Sequence, residues 1–188
     1  MKKNLLSLSL SQSMRSVAVS LLSLFSVIYI FRRIFELTND TSRSLIGVFV
    51  FTLVLYCFKL VGTSTAENFA LKYGLKKQIF LGHLLTGLAL ILFAASQSNL
   101  LFLWLAEISW GLAIGFFWYG RHGMMVKIGE AGKFGQATGT SSFIENTFLL
   151  GAPFLGGVIV SFWGYTALFV FSLVFVFLAF LVLAPLEE

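Results

Sequence analysis

Hydrophobic residues in this chain fall into long blocks separated by short polar or charged stretches. A bilayer core of about 30 Å needs roughly 20 residues of apolar helix, and six blocks meet that length. They cover residues 14–35, 45–65, 78–96, 100–119, 138–162 and 165–184. None shows the alternating polarity of the roughly ten-residue strands of a membrane β-barrel. The pattern predicts an all-α, polytopic membrane protein: one six-helix bundle over residues 14–188, preceded by a cytoplasmic tail over residues 1–13. The connections are short, which makes successive helices antiparallel neighbours.

Composition supports lipid as the solvent. Hydrophobic residues make up 58% of the chain and charged residues 11%, where a soluble domain carries about a quarter charged. The basic residues set the orientation. Lys2, Lys3, Arg15, Lys72, Lys76, Lys77, Arg121, Lys127 and Lys133 fall on one side of the expected membrane, and only Arg32, Arg33 and Arg43 on the other. Basic loops stay cytoplasmic, so both termini are expected in the cytoplasm and the chain in the cell (inner) membrane. Because these residues gather between apolar blocks and not along one face, the net charge of +5 does not point to nucleic acid. Cys57, the one cysteine, has no partner for a disulfide and reads as a small buried apolar residue.

Catalytic chemistry is hard to assemble from these residues. Asp40 is the single aspartate and sits in a loop, no G-x-S-x-G occurs, and the sixth block has no histidine to activate a serine. His83 and His122 lack a Cys or Asp cluster, so neither metal nor cofactor is expected. Gly132 and Lys133 are followed by Phe134, which does not make a phosphate loop. An enzyme is not expected.

Three ionisable residues lie inside apolar blocks: Lys59, Glu107 and Glu145, the last followed by Asn146. A charge at mid-membrane costs about 2.5–3.5 kcal/mol on insertion scales, so such groups face a partner or a polar cavity. These four residues are the candidates for a substrate or coupling path. Depth permits an ion pair between Lys59 and Glu145, while Arg32 and Arg33 close the outer end of the first helix and read as snorkelling into headgroups, with a reach by one of them towards Glu107 as the alternative. Glycines at 111, 115, 139, 151, 156 and 157 predict that the fourth and fifth helices are central, with Pro153 as a kink. The nearly apolar sixth helix is expected at the periphery, in lipid on almost all sides.

Three segments resemble the N-terminal half of a major facilitator superfamily transporter. The loop ENFALKYGLKK is similar to that family's basic signature loop, with Lys72, Gly74, Lys76 and Lys77 at its basic and glycine positions, Glu67 at the first glycine and Leu71 at the acid. EISWGLAIG resembles an R-x-x-x-G segment with Glu107 in place of the arginine and Gly111 and Gly115 kept. GAPFLGG resembles the G-P-x-x-G-G element, with Ala152 at the first glycine and Pro153, Gly156 and Gly157 matching. The resemblance implies a domain of two inverted three-helix repeats, a gating role for the basic loop, and transport of a small solute by alternating access. It also implies a second six-helix half or a homodimer mate as partner, besides the lipid bilayer. The alternative is a non-transporting interaction or regulatory protein derived from a transporter half.

Overall fold

The computed structural model describes residues 2–128 and 134–186, and every regular element among them is helical. In chain order these are α1 (Lys2–Thr38), α2 (Thr41–Tyr73), α3 (Leu75–Ala95), α4 (Leu101–Ile128), α5 (Phe134–Leu149) and α6 (Ala152–Leu183). Lys133 and Gly132 lie outside the described residues, as do the side chains of Lys2 and Lys3.

Five stretches are long and apolar enough to cross a membrane: Asn4–Thr38, Thr41–Tyr73, Leu75–Ala95, Leu101–Ile128 and Thr138–Leu183. The difference from six lies wholly in the last, whose 46 residues cover both the fifth and sixth blocks. That stretch is interrupted twice. At Leu150–Gly151 the helix breaks because Pro153 has no N–H to donate, while Gly151 keeps helical angles (φ −87°, ψ −16°). At Gly164 the backbone leaves helical space altogether (φ 79°, ψ 178°), in a region open essentially to glycine alone.

The helices join through minimal turns. Asn39 and Asp40 link α1 to α2, and the Asp40 carboxylate caps α2 by accepting from the backbone N–H of Ser42 (2.8 Å) and Arg43 (3.2 Å). A single residue, Gly74 (φ 90°, ψ 158°), links α2 to α3. Only glycine adopts those angles without strain, which explains its place in the basic loop.

Packing divides by helix pair. α2 lies against α4 so closely that a Cβ on Gly111 would come within 2.4 Å of the Leu55 carbonyl oxygen, and one on Gly115 within 2.5 Å of the Thr63 nitrogen. α3 lies against the opposite side of α4, with Gly82 against Phe117 and Gly120 against Ile79. α1 packs on α6 along much of its length and also on α5. Tyr29, Phe93, Trp110 and Phe169 join these layers in one aromatic core, with Tyr29 and Phe169 edge to face at 5.3 Å.

Several expectations need correction. α4 is central, but α5 is not: Gly139, Gly151 and Gly157 face open space, and only Gly156 meets a neighbour, the Phe25 ring of α1. α6 is not lipid-exposed on nearly all sides, since Leu168, Phe169, Val176, Ala179 and Leu183 are buried against α1 and α3. Its other face, including Phe171, Val174 and Phe177, is exposed. Cys57 is exposed, not buried. Large apolar side chains such as Leu60 (71% exposed) and Phe49 (69%) stand outward from α2, as they do where the solvent is lipid.

Candidate functional site

The first helix starts at Lys2, and its polar N-terminal part is buried. Ser9, Ser11, Gln12, Ser13 and Arg15 are each under 5% exposed, although residues 1–13 read as a tail and Arg15 as a loop signal. Three hydroxyls of this stretch find carbonyls. Ser13 Oγ donates to Ser9 O (2.9 Å), Ser11 Oγ to Ala179 O of α6 (2.8 Å), and Ser7 Oγ to Val182 O. With its proton committed to Ala179, Ser11 accepts from His83 Nε2 at 3.2 Å, which leaves His83 Nδ1 buried and without a partner.

Arg15 continues this face inward. Its guanidinium sits 3.8 Å over the Phe117 ring and 3.5 Å from Thr86 Oγ1. Glu145 of α5 accepts hydrogen bonds from Gln12 Nε2 and Ser16 Oγ of α1. It also acts coulombically on Arg15 and on Arg121, whose guanidinium lies 5.0 Å over the Trp118 ring. The structure therefore turns Glu145 towards α1, and among the described residues no ion pair joins it to Lys59. The reason is azimuth: α5 packs on α1, whereas Lys59 is on α2 at the α4 seam. Asn146, next to Glu145, is exposed.

Lys59 and Glu107 instead share a pocket of about 270 Å³ between α1, α2 and α4, with Ser23, Tyr56 and Trp110 also on its wall. Glu107 is 2% exposed and Trp110 5%, yet Glu107 Oε2 and Trp110 Nε1 have no hydrogen-bond partner. Leaving such groups unsatisfied costs about 1–3 kcal/mol each, more when charged, so a stable protein keeps them for a reason. Lys59 Nζ lies 5.4 Å from the Tyr56 ring centroid. The alternative contact of Arg32 or Arg33 with Glu107 is not made. Both pair with Glu36 at 2.9 Å, and Arg33 also donates to the Gln97 carbonyl (3.0 Å).

A wider cavity of about 660 Å³ opens towards the Lys76 end of the same seam, walled by Glu67, Trp118 and His122 among others. Next to it stands the basic loop: Lys72 Nζ is 5.1 Å from the Tyr73 ring, Lys76 Nζ donates to Ala184 O (2.9 Å), and Lys77 is exposed. Pro153, Gly156 and Gly157 sit at the start of α6, where Gly156 admits Phe25 and Gly157 faces open space. Sequence reasoning missed Gln12, Arg15, Ser16, Trp110 and Arg121. An available signal was the run of Ser, Gln and Arg at positions 7, 9, 11, 12, 13, 15 and 16 directly ahead of an apolar block, which marks a buried polar helix face as readily as a tail. No group of three His, Cys, Asp or Glu residues gathers into a metal site among the described residues.

Helices long and apolar enough to cross a membrane, with large apolar side chains turned outward, mark an integral membrane protein. The chain belongs to the Major Facilitator Superfamily, whose family model matches residues 6–188. Members of that family are transporters and not enzymes, so membership points to transport across membranes. Among curated proteins, none matches the sequence.

Proposed function

We propose that this chain is a transport domain that carries a small solute by alternating access, with the pocket between α1, α2 and α4 as its part of the solute path. The observation that carries the reading is the pocket itself: Lys59 and Glu107 line it together, and Glu107 has a free, buried carboxylate oxygen. The rival reading, a non-transporting interaction protein, calls for acids that are internally satisfied. Glu145 fits that description, but Glu107 does not.

In this reading the chain crosses the membrane six times. At 1.5 Å per residue, the 46-residue stretch Thr138–Leu183 would reach roughly 70 Å, more than twice the bilayer core, so it folds back at Gly164. Exposed Phe162 and Trp163 just before that turn suit the interfacial belt. The basic end, with Lys72, Lys76, Lys77 and Lys127, is cytoplasmic, as are both termini, in the cell (inner) membrane. The two repeats are α1–α3 and α4–α6. Exposed Ser23, Val27 and Tyr56 at the pocket's rim face the side that a second six-helix half or a second copy closes. The solute path then involves Lys59 and Glu107 directly, while Glu145 and Asn146 act from the α5 side, the basic loop gates, and Pro153, at the start of α6, lets the fifth span bend.

The test is sidedness of access. Cys57 is exposed and is first replaced by Ala. In sealed vesicles of each orientation, Ser23→Cys is then treated with a membrane-impermeant thiol reagent. Labelling from at least one side supports a solute path. A position that the reagent reaches from neither side, while a lipid-soluble maleimide labels it, overturns the reading.

A further inference from the structure

We infer that the α1/α2/α4 pocket binds a small zwitterion, one that carries an ammonium and a carboxylate on the same or neighbouring carbon, as an α-amino acid does. The inference rests on the transport reading above and names the substrate class of that site.

Seven residues with polar side chains and five apolar ones line the pocket, and three of the seven decide the ligand's charge. One is an acceptor, Glu107 Oε2, and one a donor, Trp110 Nε1, both buried and both unpartnered. The third is a cation, Lys59 Nζ, which has an aromatic neighbour and no anion within ion-pair distance among the described residues. A purely cationic ligand would satisfy Glu107 and leave the indole N–H and the ammonium unanswered. A purely anionic ligand would do the reverse. A sugar or polyol could answer the hydrogen bonds, but it would bring no anion to the Lys59 ammonium.

The register of the helices sets the spacing. α2 and α4 run side by side in the same direction, with Phe51 against Trp104 at 4.2 Å and the Lys59 backbone between Gly111 and Gly115. Lys59 is therefore level with residues 112–113 of α4, and Glu107 stands five to six residues, or about 8 Å, along the axis from it. No ion pair joins the two side chains, and a small ligand that joined them would make a charge-assisted hydrogen bond of about 2.8 Å at each end. A cavity of about 270 Å³ leaves room for a modest aliphatic remainder against Val27 and Ile114.

The experiment uses the Cys57→Ala, Ser23→Cys chain in lipid vesicles and measures the rate of thiol labelling with glycine, alanine or leucine present. Matched probes are 3-methylbutylamine, which is leucine without its carboxylate, and 4-methylpentanoate, which is leucine without its ammonium. At least one of the three amino acids is expected to slow labelling, at concentrations about tenfold or more below those at which the amine or the acid does so. Glu107→Gln should bring the amino acid down to the level of the acid, and Lys59→Gln down to the level of the amine. Trp110→Phe, which keeps the ring and removes the donor, should weaken protection if either charge variant fails to accumulate. Protection by the amine alone, or by the acid alone, as strong as that by every amino acid overturns the inference. So does labelling that no amino acid slows. Absence of labelling by the impermeant reagent from both sides is a different result, because it removes the transport reading itself.

Discussion

Replacing Gly111 by Ala should separate α2 from α4. The added Cβ would lie 2.4 Å from the Leu55 carbonyl oxygen, 3.0 Å from the Lys59 nitrogen and 3.0 Å from Phe58 Cβ. Two of these are backbone atoms, and no rotamer change moves them. An ordinary contact needs about 3.5 Å, so α2 has to retreat by about 1 Å along the crossing. Overpacking of this kind costs about 1–3 kcal/mol, and the upper end applies where backbone must give way. Gly115 lies one turn further along the same seam, with a virtual Cβ 2.5 Å from the Thr63 nitrogen. A helix already displaced by G111A has less to lose there, so the double variant should cost less than the sum of the singles. Gly139→Ala and Gly157→Ala are the controls, since nothing lies within 4 Å of either virtual Cβ and alanine is the better helix former. Reversible unfolding of the chain in mixed micelles, followed by tryptophan fluorescence, measures all five variants. If G111A proved as stable as the parent chain while G157A lost stability, close contact of α2 with α4 would be refuted.

Other perturbations test separate parts of the structure. Gly164→Ala meets no neighbour but forces a Cβ onto φ 79°, and should cost about 1–3 kcal/mol in the same unfolding assay. Glu145→Ala removes the acceptor for Gln12 and Ser16 and an opposing charge from Arg15. It should cost about 1.5–3 kcal/mol, while Glu145→Gln, which keeps a carbonyl oxygen, should cost visibly less. Arg32→Ala breaks a pair in which Arg32 is 65% exposed, and should change stability by no more than about 0.5 kcal/mol.

Much of the architecture could be read from hydropathy, because length and polarity decide whether a segment suits lipid, and those are properties of sequence. Interhelical relations were less legible. The Ser-rich start of α1 looks like a tail until the carbonyls of Ala179 and Val182, more than 160 residues away, supply acceptors for its hydroxyls. Depth alone allowed Lys59 to meet Glu145, but depth carries no information on the direction a side chain takes around its helix. The structure set Glu145 against α1 and Lys59 beside α4. Glycine content marked both α4 and α5 for close packing. Only on α4 do the glycines form a continuous contact with a neighbour, since most of those in α5 and at the start of α6 face open space. Lys59 and Glu107 were marked individually as candidates by their charge in an apolar block. Their shared pocket needed the register that Gly111 and Gly115 impose on α2.

The most direct measurement compares two spin labels at similar depth, one in place of Ser23 and one in place of Ile91. Both sites are exposed, and both fall near the middle of the interval between the levels at which α1 meets α3 through Arg15–Thr86 and Tyr29–Ser96. Ile91 lies in the apolar groove between α3 and α6, and Ser23 at the pocket that holds Glu107. A polar solute path predicts that a water-soluble nickel relaxant collides often with the label at Ser23, while the label at Ile91 responds only to oxygen dissolved in lipid. If the Ser23 label also responds to oxygen alone, the pocket is part of the lipid-facing surface and the chain carries no solute there.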